Sequence, residues 1–161
     1  MLKIRHATPE DFTAISVVAV SAFEQPNEAR LMSDLRDGGH VAIEMVASDE
    51  DMVVGCVMLS RLELPQEWLT LAPLCIIPSR QRQGIGAELV RYALDEARRQ
   101  EFDAVVVVGD PDYYVRFGFE FDGFAQLFSP YPPQYTGLYP IDPQTSLTRA
   151  ELLYPAPFLE V

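Results

Sequence analysis

Cysteine, histidine and basic side chains are all scarce in this chain of 161 residues. The two cysteines, Cys56 and Cys75, lie in separate apolar runs, and the only histidines are His6 and His40. Such a sequence lacks the paired cysteines of a disulfide framework and the clustered ligands of a zinc site. We therefore expect two small buried thiols, no metal and a reducing, cytoplasmic location.

Positive charge is outnumbered, with 12 lysine and arginine residues against 24 acidic residues and a formal net charge of −12. A chain with this charge repels phosphate backbones and anionic lipid at long range, so neither nucleic acid nor a membrane surface is an expected partner. A negative field favours a cationic acceptor such as an amine, although an acidic surface also serves solubility alone.

Long hydrophobic runs are missing as well, since none approaches the roughly 20 residues that cross a bilayer. Residues 12–23 resemble a signal peptide in outline, but Glu10 and Asp11 stand where such a peptide is basic. The apolar residues of this stretch follow a helical period, which predicts a core helix. With 48% hydrophobic residues, the chain has enough material for one core but not two, so residues 1–161 are expected to form a single domain.

Periodicity and turn residues predict the element order βααβββαβα and then a last strand, which is an α/β domain. The predicted helices cover residues 9–23, 27–37, 84–100 and 110–117, and the predicted strands cover residues 2–6, 41–47, 52–59, 69–77, 102–108 and 147–153. Four consecutive valines in 102–108 indicate a strand that is buried on both faces. Residues 129–143 hold five prolines and three tyrosines, and we predict a loop without regular structure there.

The most informative stretch is the turn between strand 69–77 and helix 84–100, where residues 81–86 read Gln-Arg-Gln-Gly-Ile-Gly. Free backbone N–H groups at a helix N-terminus favour a phosphate or pyrophosphate, and glycines let the backbone approach that anion. The stretch is neither a Rossmann fingerprint, because Leu89 replaces the third glycine, nor a P-loop, because Gly-Lys-Ser/Thr is missing. Two glycines alone are explained equally well by a tight turn.

In this context, residues 81–86 resemble the acetyl-CoA-binding motif Gln/Arg-x-x-Gly-x-Gly/Ala of the GNAT superfamily of N-acetyltransferases. The preceding residues 74–78 are similar to the bulged central strand of that family. Residues 114–119 are similar to its Tyr-x-x-x-Gly-Phe ending, and the Gly-Asp-Pro-x-Tyr-Tyr run from Gly109 most closely resembles the bacterial YhbS-like acetyltransferases. The resemblance extends over nearly the whole chain.

The resemblance implies the acyl-CoA N-acyltransferase fold, in which helices flank a central, mostly antiparallel sheet. It implies direct transfer of acetyl from acetyl-CoA to a small-molecule or peptide amine, without a metal or a covalent enzyme intermediate, and it is compatible with a homodimer. A catalytically silent CoA-binding sensor and a partner-docking module are the alternatives on the same fold. In the family, the splayed strand pairs with pantetheine and the loop amides hold the pyrophosphate. By position, the cofactor-binding residues are Leu74, Ile76, Gln81, Arg82, Gln83, Gly84, Ile85 and Gly86.

By position, Tyr114 matches the general acid that protonates the leaving CoA thiolate in the family. The pKa of a phenol, about 10, lies above that of the thiol, so a tyrosine suits this role. Aromatic packing is the alternative role for Tyr114, and it is the expected role for Tyr113.

The sequence does not identify the general base. Glu24, Glu28 and Glu63 lie in segments that line the acceptor cleft of relatives, yet in a chain this acidic we expect each to be a solvated surface group. The two histidines, His6 and His40, are expected to have no catalytic role either.

The tyrosine-rich loop 129–143 occupies the part of the chain that forms one wall of the acceptor site in the family. Tyr131, Tyr135 and Tyr139 either stack on a cationic or apolar acceptor or close the core over a long connection. We expect acceptor specificity to reside in this loop.

Overall fold

The computed structural model describes residues 1–160 and shows one six-stranded sheet, one two-stranded sheet and four α-helices in that range. The strands are β1 (Leu2–His6), β2 (Val41–Asp49), β3 (Met52–Arg61), β4 (Trp68–Ile76), β5 (Ala104–Val108), β6 (Gln126–Phe128), β7 (Thr136–Pro140) and β8 (Arg149–Glu151). The helices are α1 (Phe12–Phe23), α2 (Asn27–Asp37), α3 (Ile85–Arg99) and α4 (Pro111–Tyr114). Short 3₁₀ helices cover Pro9–Asp11, Pro78–Arg80, Val115–Phe117, Pro133–Tyr135, Pro143–Leu147 and Ala156–Glu160.

The large sheet has the strand order β1-β2-β3-β4-β5-β7, and every neighbouring pair is antiparallel except β4 and β5, which run parallel. Helix α3 connects these two parallel strands, as a parallel crossover requires. The predicted architecture, a mostly antiparallel sheet flanked by helices, is confirmed.

The two faces of the sheet carry two separate hydrophobic cores. Helices α1 and α2 pack on one face, where Ile15 and Leu35 are fully buried, and α3 packs on the other, where Leu89 and Ala93 are fully buried. Strand β5 contributes alternate valines to each core, so it is buried on both faces, as the sequence predicts. No helix of the described residues combines the length and the apolar character needed to cross a membrane.

Strands β4 and β5 pair over only three residues each and then separate. Their register joins Trp68–Thr70 to residues 104–106, although β4 continues to Ile76 and β5 to Val108. On its other side, β4 carries a bulge, because the register with β3 shifts between Val57 and Leu59. A bulge bends the strand and increases its twist, and the divergence of β4 from β5 opens a cleft in the sheet.

The β2–β3 hairpin is longer and tighter than predicted. Only Glu50 and Asp51 lie between the strands, and both have positive φ, 52° and 64°. Two left-handed residues give the type I′ turn whose twist matches a two-residue hairpin. The turn therefore starts two residues later than the predicted turn over 48–51 and ends at the same residue.

The prediction of an irregular loop over 129–143 is wrong in part, because Thr136–Pro140 forms β7 and pairs with β5 along its whole length. The prolines of this segment favour a loop, so the sequence does not predict the strand. Pro140 stands at its last position, and β7 is an edge strand, where the missing N–H is tolerated.

The predicted strand over 147–153 shrinks to Arg149–Glu151, which pairs with Gln126–Phe128 in the small parallel sheet. Leu147 instead ends the 3₁₀ helix that starts at Pro143, where the Asp142 carboxylate accepts the Gln144 amide at 3.0 Å.

Candidate functional site

Two adjoining cavities lie along the diverging end of β4. The first, of about 530 Å³, is lined by Leu74, Ile76 and the turn before α3, and we refer to it as the loop cavity. The second, of about 480 Å³, lies between β4 and the end of β5 and is named the cleft cavity. Leu74 and Phe23 line both, so the two cavities are neighbours along one surface.

The loop cavity presents unpaired main-chain donors. Helix α3 begins only at Ile85, and its first internal hydrogen bond runs from the Glu88 amide to the Gly84 carbonyl at 3.1 Å, so within residues 1–160 the amides of 84–87 have no helical acceptor. Gly84 adopts a φ of +84°, which favours glycine, and a Cβ placed there would meet no atom within 4 Å. The turn is therefore open and can hold an anion at the positive end of α3.

Arginine side chains surround these amides, although the chain as a whole is acidic. Arg80, Arg82 and Arg116 all line the loop cavity. Arg80 is partly neutralised by Asp49, at 3.0 Å, and Arg116 lies over the ring of Tyr113, 4.7 Å from its centroid. The sequence did not single out Arg116, because it stands at an unspecified position of the Tyr-x-x-x-Gly-Phe run.

Tyr113 closes one side of the loop cavity. A Cβ on Gly86 would lie 3.1 Å from the Tyr113 hydroxyl and 3.7 Å from Leu74 Cδ2, so only glycine fits there without displacing a neighbour. Tyr113 is thus more than the aromatic packing expected from the sequence.

The main-chain groups of Leu74 and Ile76 face the gap between β4 and β5. The Ile77 amide donates to the Val54 carbonyl at 3.0 Å, so residues 75 and 77 bond to β3, and the alternation of an antiparallel ladder turns residues 74 and 76 the other way. The ladder with β5 has already ended at Thr70. Apart from the Ile76 carbonyl, which accepts from Gln81 Nε2, this edge of β4 is therefore open to a ligand.

Two of the predicted cofactor-binding side chains have structural roles. Gln81 donates from Nε2 to the Ile76 carbonyl at 3.0 Å, which ties the turn to the strand. Gln83 does not line the loop cavity, because its side chain turns back to accept from Arg80 Nε at 3.0 Å. The other six predicted residues, Leu74, Ile76, Arg82, Gly84, Ile85 and Gly86, line the cavity together with Gln81.

Tyr114 lines the cleft cavity and is also tightly packed. Its ring lies edge-on to Tyr113 and Phe119, with centroids 5.0 and 5.7 Å away, and a Cβ on Gly109 would come within 2.6 Å of it. Burial, and to a lesser degree the neighbouring Tyr113, raises the pKa of Tyr114 to about 12. The phenol therefore holds its proton at neutral pH.

The rest of the cleft cavity is mainly apolar. Its wall includes Phe23, Tyr131, Tyr154 and Phe158, which come from α1, the proline-rich segment and the C-terminal region. The Tyr154 hydroxyl is buried and has no hydrogen-bond partner among residues 1–160, and burial strongly raises the pKa of this phenol. The Thr70 hydroxyl opposes that shift slightly but does not reach hydrogen-bond geometry.

The tyrosines of residues 129–143 divide between the two roles considered. Tyr131 lines the cleft cavity, whereas Tyr139 is buried in the core, where Arg98 Nε donates to its hydroxyl at 2.6 Å. Tyr135 is 48% exposed and lies outside the cavity.

Among the five acidic and histidine candidates, only Glu28 lines the cleft cavity. Glu24 is an exposed residue at the end of α1, Glu63 lies 3.9 Å from His40 at a different pocket, and His6 lies 3.7 Å from Glu96. Glu24 and Glu63 are exposed, as expected, whereas Glu28 is half-buried, and the expectation that it is only a solvated surface group stays a prediction.

Known proteins show the same fold and sequence pattern. A model of the acetyltransferase (GNAT) family matches residues 3–119. The N-acetyltransferase YhbS of Escherichia coli is 35% identical over 133 residues, which are 80% of this chain and 80% of that protein. The crystal structure of YhbS from Escherichia coli in complex with CoA superposes with a TM-score of 0.90 at 29% identity, over 98% of this chain and 92% of that chain. A GNAT family acetyltransferase from Brucella melitensis in complex with acetyl-CoA superposes with a TM-score of 0.84 at 26% identity, over 98% of both chains.

Proposed function

The chain belongs to the acetyltransferase (GNAT) family and is an acetyl-CoA-dependent N-acetyltransferase; we propose that it acetylates an amine by direct attack, without a covalent enzyme intermediate. The observation that carries this proposal is the set of unpaired amides at 84–87 beside the exposed edge of β4, with Tyr114 in the adjoining cavity. Acetyl-CoA supplies a thioester whose carbonyl carbon an amine can attack.

The proposed cofactor-binding residues divide by chemistry. The amides of 84–87 suit the pyrophosphate because several donors converge at a helix N-terminus. Arg82 and Arg116 add positive charge, and the main-chain groups of Leu74 and Ile76 suit an extended polar chain that lies along the strand edge. Gln81 positions the turn rather than the ligand, and Gln83 is the predicted residue with the weakest support.

Tyr114 is the proposed general acid for the departing thiolate. Its raised pKa, about 12, makes it a weaker acid than the free side chain. Tyr114 can therefore protonate the CoA thiolate only if the thiolate also lies in the mainly apolar cleft. Burial there raises the pKa of the CoA thiol as well, so the proton transfer becomes less unfavourable. Preorganised amides of the strand edge would stabilise the developing oxyanion.

Thermal or chemical unfolding with CoA tests the binding half of this proposal. At ~100 times its dissociation constant, CoA should raise the free energy of unfolding by ~2.7 kcal/mol. Stability that stays constant with CoA, acetyl-CoA and other acyl-CoAs would remove the proposal.

Tyr114→Phe tests the catalytic half. We expect kcat to fall by about 100-fold, the lower end for loss of a general acid, while the dissociation constant of CoA stays within about twofold. Tyr92→Phe, on the exposed face of α3, removes an equivalent hydroxyl from a residue that lines neither cavity and should leave kcat unchanged. A wild-type protein that binds CoA but acetylates no amine would instead favour the silent sensor.

We also propose that residues 1–161 act as one catalytic domain in the cytoplasm. The low cysteine content, without the paired spacing of a disulfide framework, supports that compartment. The homodimer stays a prediction, which the molar mass in solution tests.

A further inference from the structure

The cleft cavity has an uncharged aromatic wall. In this wall, Tyr154 lies between Tyr131 and Phe158 and is edge-on to both, with ring centroids 5.0 and 5.6 Å away. Phe23 of α1 and Leu31 of α2 complete the wall. A cavity of about 480 Å³ lies in the size range of small-molecule sites. A molecule with many polar groups that entered it would exchange water for a mainly apolar wall with few hydrogen-bond partners, which costs free energy.

Glu28 supplies a negative charge beside this wall. It lies in the first turn of α2 and lines the cavity, and its two carboxylate oxygens accept only from the Gln25 amide, at 3.0 and 3.2 Å. No arginine, lysine or histidine within residues 1–160 pairs with it as an ion pair. Its carboxylate is therefore available to a cation from outside the chain.

A second carboxylate, Asp110, also lines the cavity but already has a structural role. Its Oδ1 accepts from the Asp112 amide at 3.0 Å and caps the N-terminus of α4, the helix that carries Tyr114. Glu28 has no comparable role, because the hydrogen bond it accepts comes from an exposed glutamine side chain.

We propose that the acceptor is a primary amine on a compact apolar body, aromatic or branched hydrocarbon, and that Glu28 binds its ammonium group, which releases one proton to water before the nitrogen attacks and a second as the amide forms. This inference rests on the acetyltransferase function proposed above. The aromatic wall suits such a body through apolar contact. A polyamine would bring more ammonium groups to the mainly apolar wall than Glu28 can pair, and an amino sugar would bury several hydroxyls where few partners are present.

The test compares 2-phenylethylamine with spermidine and glucosamine as acceptors at saturating acetyl-CoA. We expect kcat/KM for 2-phenylethylamine to exceed that for either polar amine by about tenfold or more, as expected when buried polar groups go unpaired. The neutral analogue 2-phenylethanol should bind as a competitive inhibitor, because it has the same body without the charge.

Glu28→Gln then separates charge from shape. Its KM for 2-phenylethylamine should rise about tenfold, as expected for loss of a charge-assisted hydrogen bond, while the inhibition constant of 2-phenylethanol stays within about twofold. Glu24→Gln is the matched control, since it removes the same charge from an exposed residue that does not line the cavity. Asp110→Asn removes the other charge and keeps a capping side chain, and its effect on this KM should be smaller than that of Glu28→Gln.

Each contrary outcome points to a different error. This inference alone is overturned if the protein prefers to acetylate spermidine or glucosamine. It is also overturned if acetyl-CoA stabilises the protein but 2-phenylethylamine is neither bound nor acetylated. A larger rise in KM for Asp110→Asn than for Glu28→Gln overturns the assignment to Glu28. Absence of any stabilisation by acetyl-CoA would defeat the proposed function itself, and with it this inference.

Discussion

The loop cavity and the cleft cavity share a strand but are built in opposite ways. The loop cavity takes most of its lining from one short segment, residues 80–82 and 84–87, and the binding groups proposed there are main-chain amides. The cleft cavity gathers side chains from α1, α2, β4, the start of α4 and the C-terminal region, and its wall is aromatic. Main-chain recognition is thus encoded by a short local pattern, whereas side-chain specificity depends on which distant segments the fold brings together.

The contrast extends to charge. Arginines line the loop cavity, while the charged side chains that line the cleft cavity are carboxylates. An anionic ligand and a cationic ligand can therefore be held a short distance apart on one acidic protein, each beside charge of the opposite sign.

Gly86→Val should produce the largest effect in the loop cavity. The new side chain would stand against the Tyr113 hydroxyl and Leu74, inside the space that the amides face. We expect the dissociation constant of CoA to rise about 100-fold, or about 2.7 kcal/mol, measured by isothermal titration calorimetry. Affinity that changes less than tenfold would contradict the placement of the anion at these amides.

A graded control identifies the cause. Gly86→Ala should weaken CoA less than valine does, since its single Cβ meets the Tyr113 hydroxyl at 3.1 Å. Combining it with Tyr113→Phe removes that hydroxyl and should restore part of the lost affinity. Additive losses in the double variant would show that the contact is not the reason.

The same contrast explains how much of the molecule could be predicted from its sequence. The turn at 81–86 and the core helices were predictable, because glycine positions and apolar periodicity are local signals. Strand β7 was missed because its pairing with β5 depends on partners about 30 residues away in the chain, while nearby prolines favoured a loop. Tyr154 and Arg116 carry no local signal, since each reaches its cavity only through the fold.

Gly109→Ala tests the catalytic side of the cleft cavity. Its Cβ would lie 2.6 Å from the Tyr114 ring, which cannot retreat freely because the buried Phe119 packs against it. We expect kcat to fall about tenfold, because the Tyr114 hydroxyl is displaced from the thiolate that it protonates. We also expect the free energy of unfolding to fall by about 1–3 kcal/mol, because the added methyl group overpacks this corner. CoA affinity should stay within about twofold, since Gly109 does not line the loop cavity. Equal losses in kcat and CoA affinity would mean that the two cavities are not separable.

Tyr154→Phe should change stability in the less usual direction. The wild-type hydroxyl is buried without a hydrogen-bond partner among residues 1–160, so no hydrogen bond offsets its loss of hydration. Removing the hydroxyl should therefore raise the free energy of unfolding by about 1 kcal/mol. Urea denaturation measures this change. Destabilisation by about 1 kcal/mol instead would show that a bound water or Thr70 satisfies the hydroxyl in solution.

Asp11 lies outside both cavities, so its variants should change stability without changing kcat or CoA affinity, in contrast to the variants of the cavities. Its carboxylate accepts from Arg5 at 2.7 and 2.9 Å and from the Thr8 amide at 2.8 Å, and these bonds, the one to Arg5 above all, lower the pKa of Asp11 to about 2. Because the folded pKa lies below that of the unfolded chain, the stabilisation is present above about pH 4 and is lost as the pH falls through about 2.

Arg5 is largely exposed, so we expect Asp11→Ala to lower the free energy of unfolding by only about 1 kcal/mol at pH 7. The difference from wild type should shrink between pH 4 and pH 2. The exposed neighbour Glu10→Ala should cost less at pH 7, and neither variant should alter kcat or CoA affinity. An Asp11→Ala deficit that stays constant down to pH 2 would show that packing, rather than the ion pair, stabilises this corner.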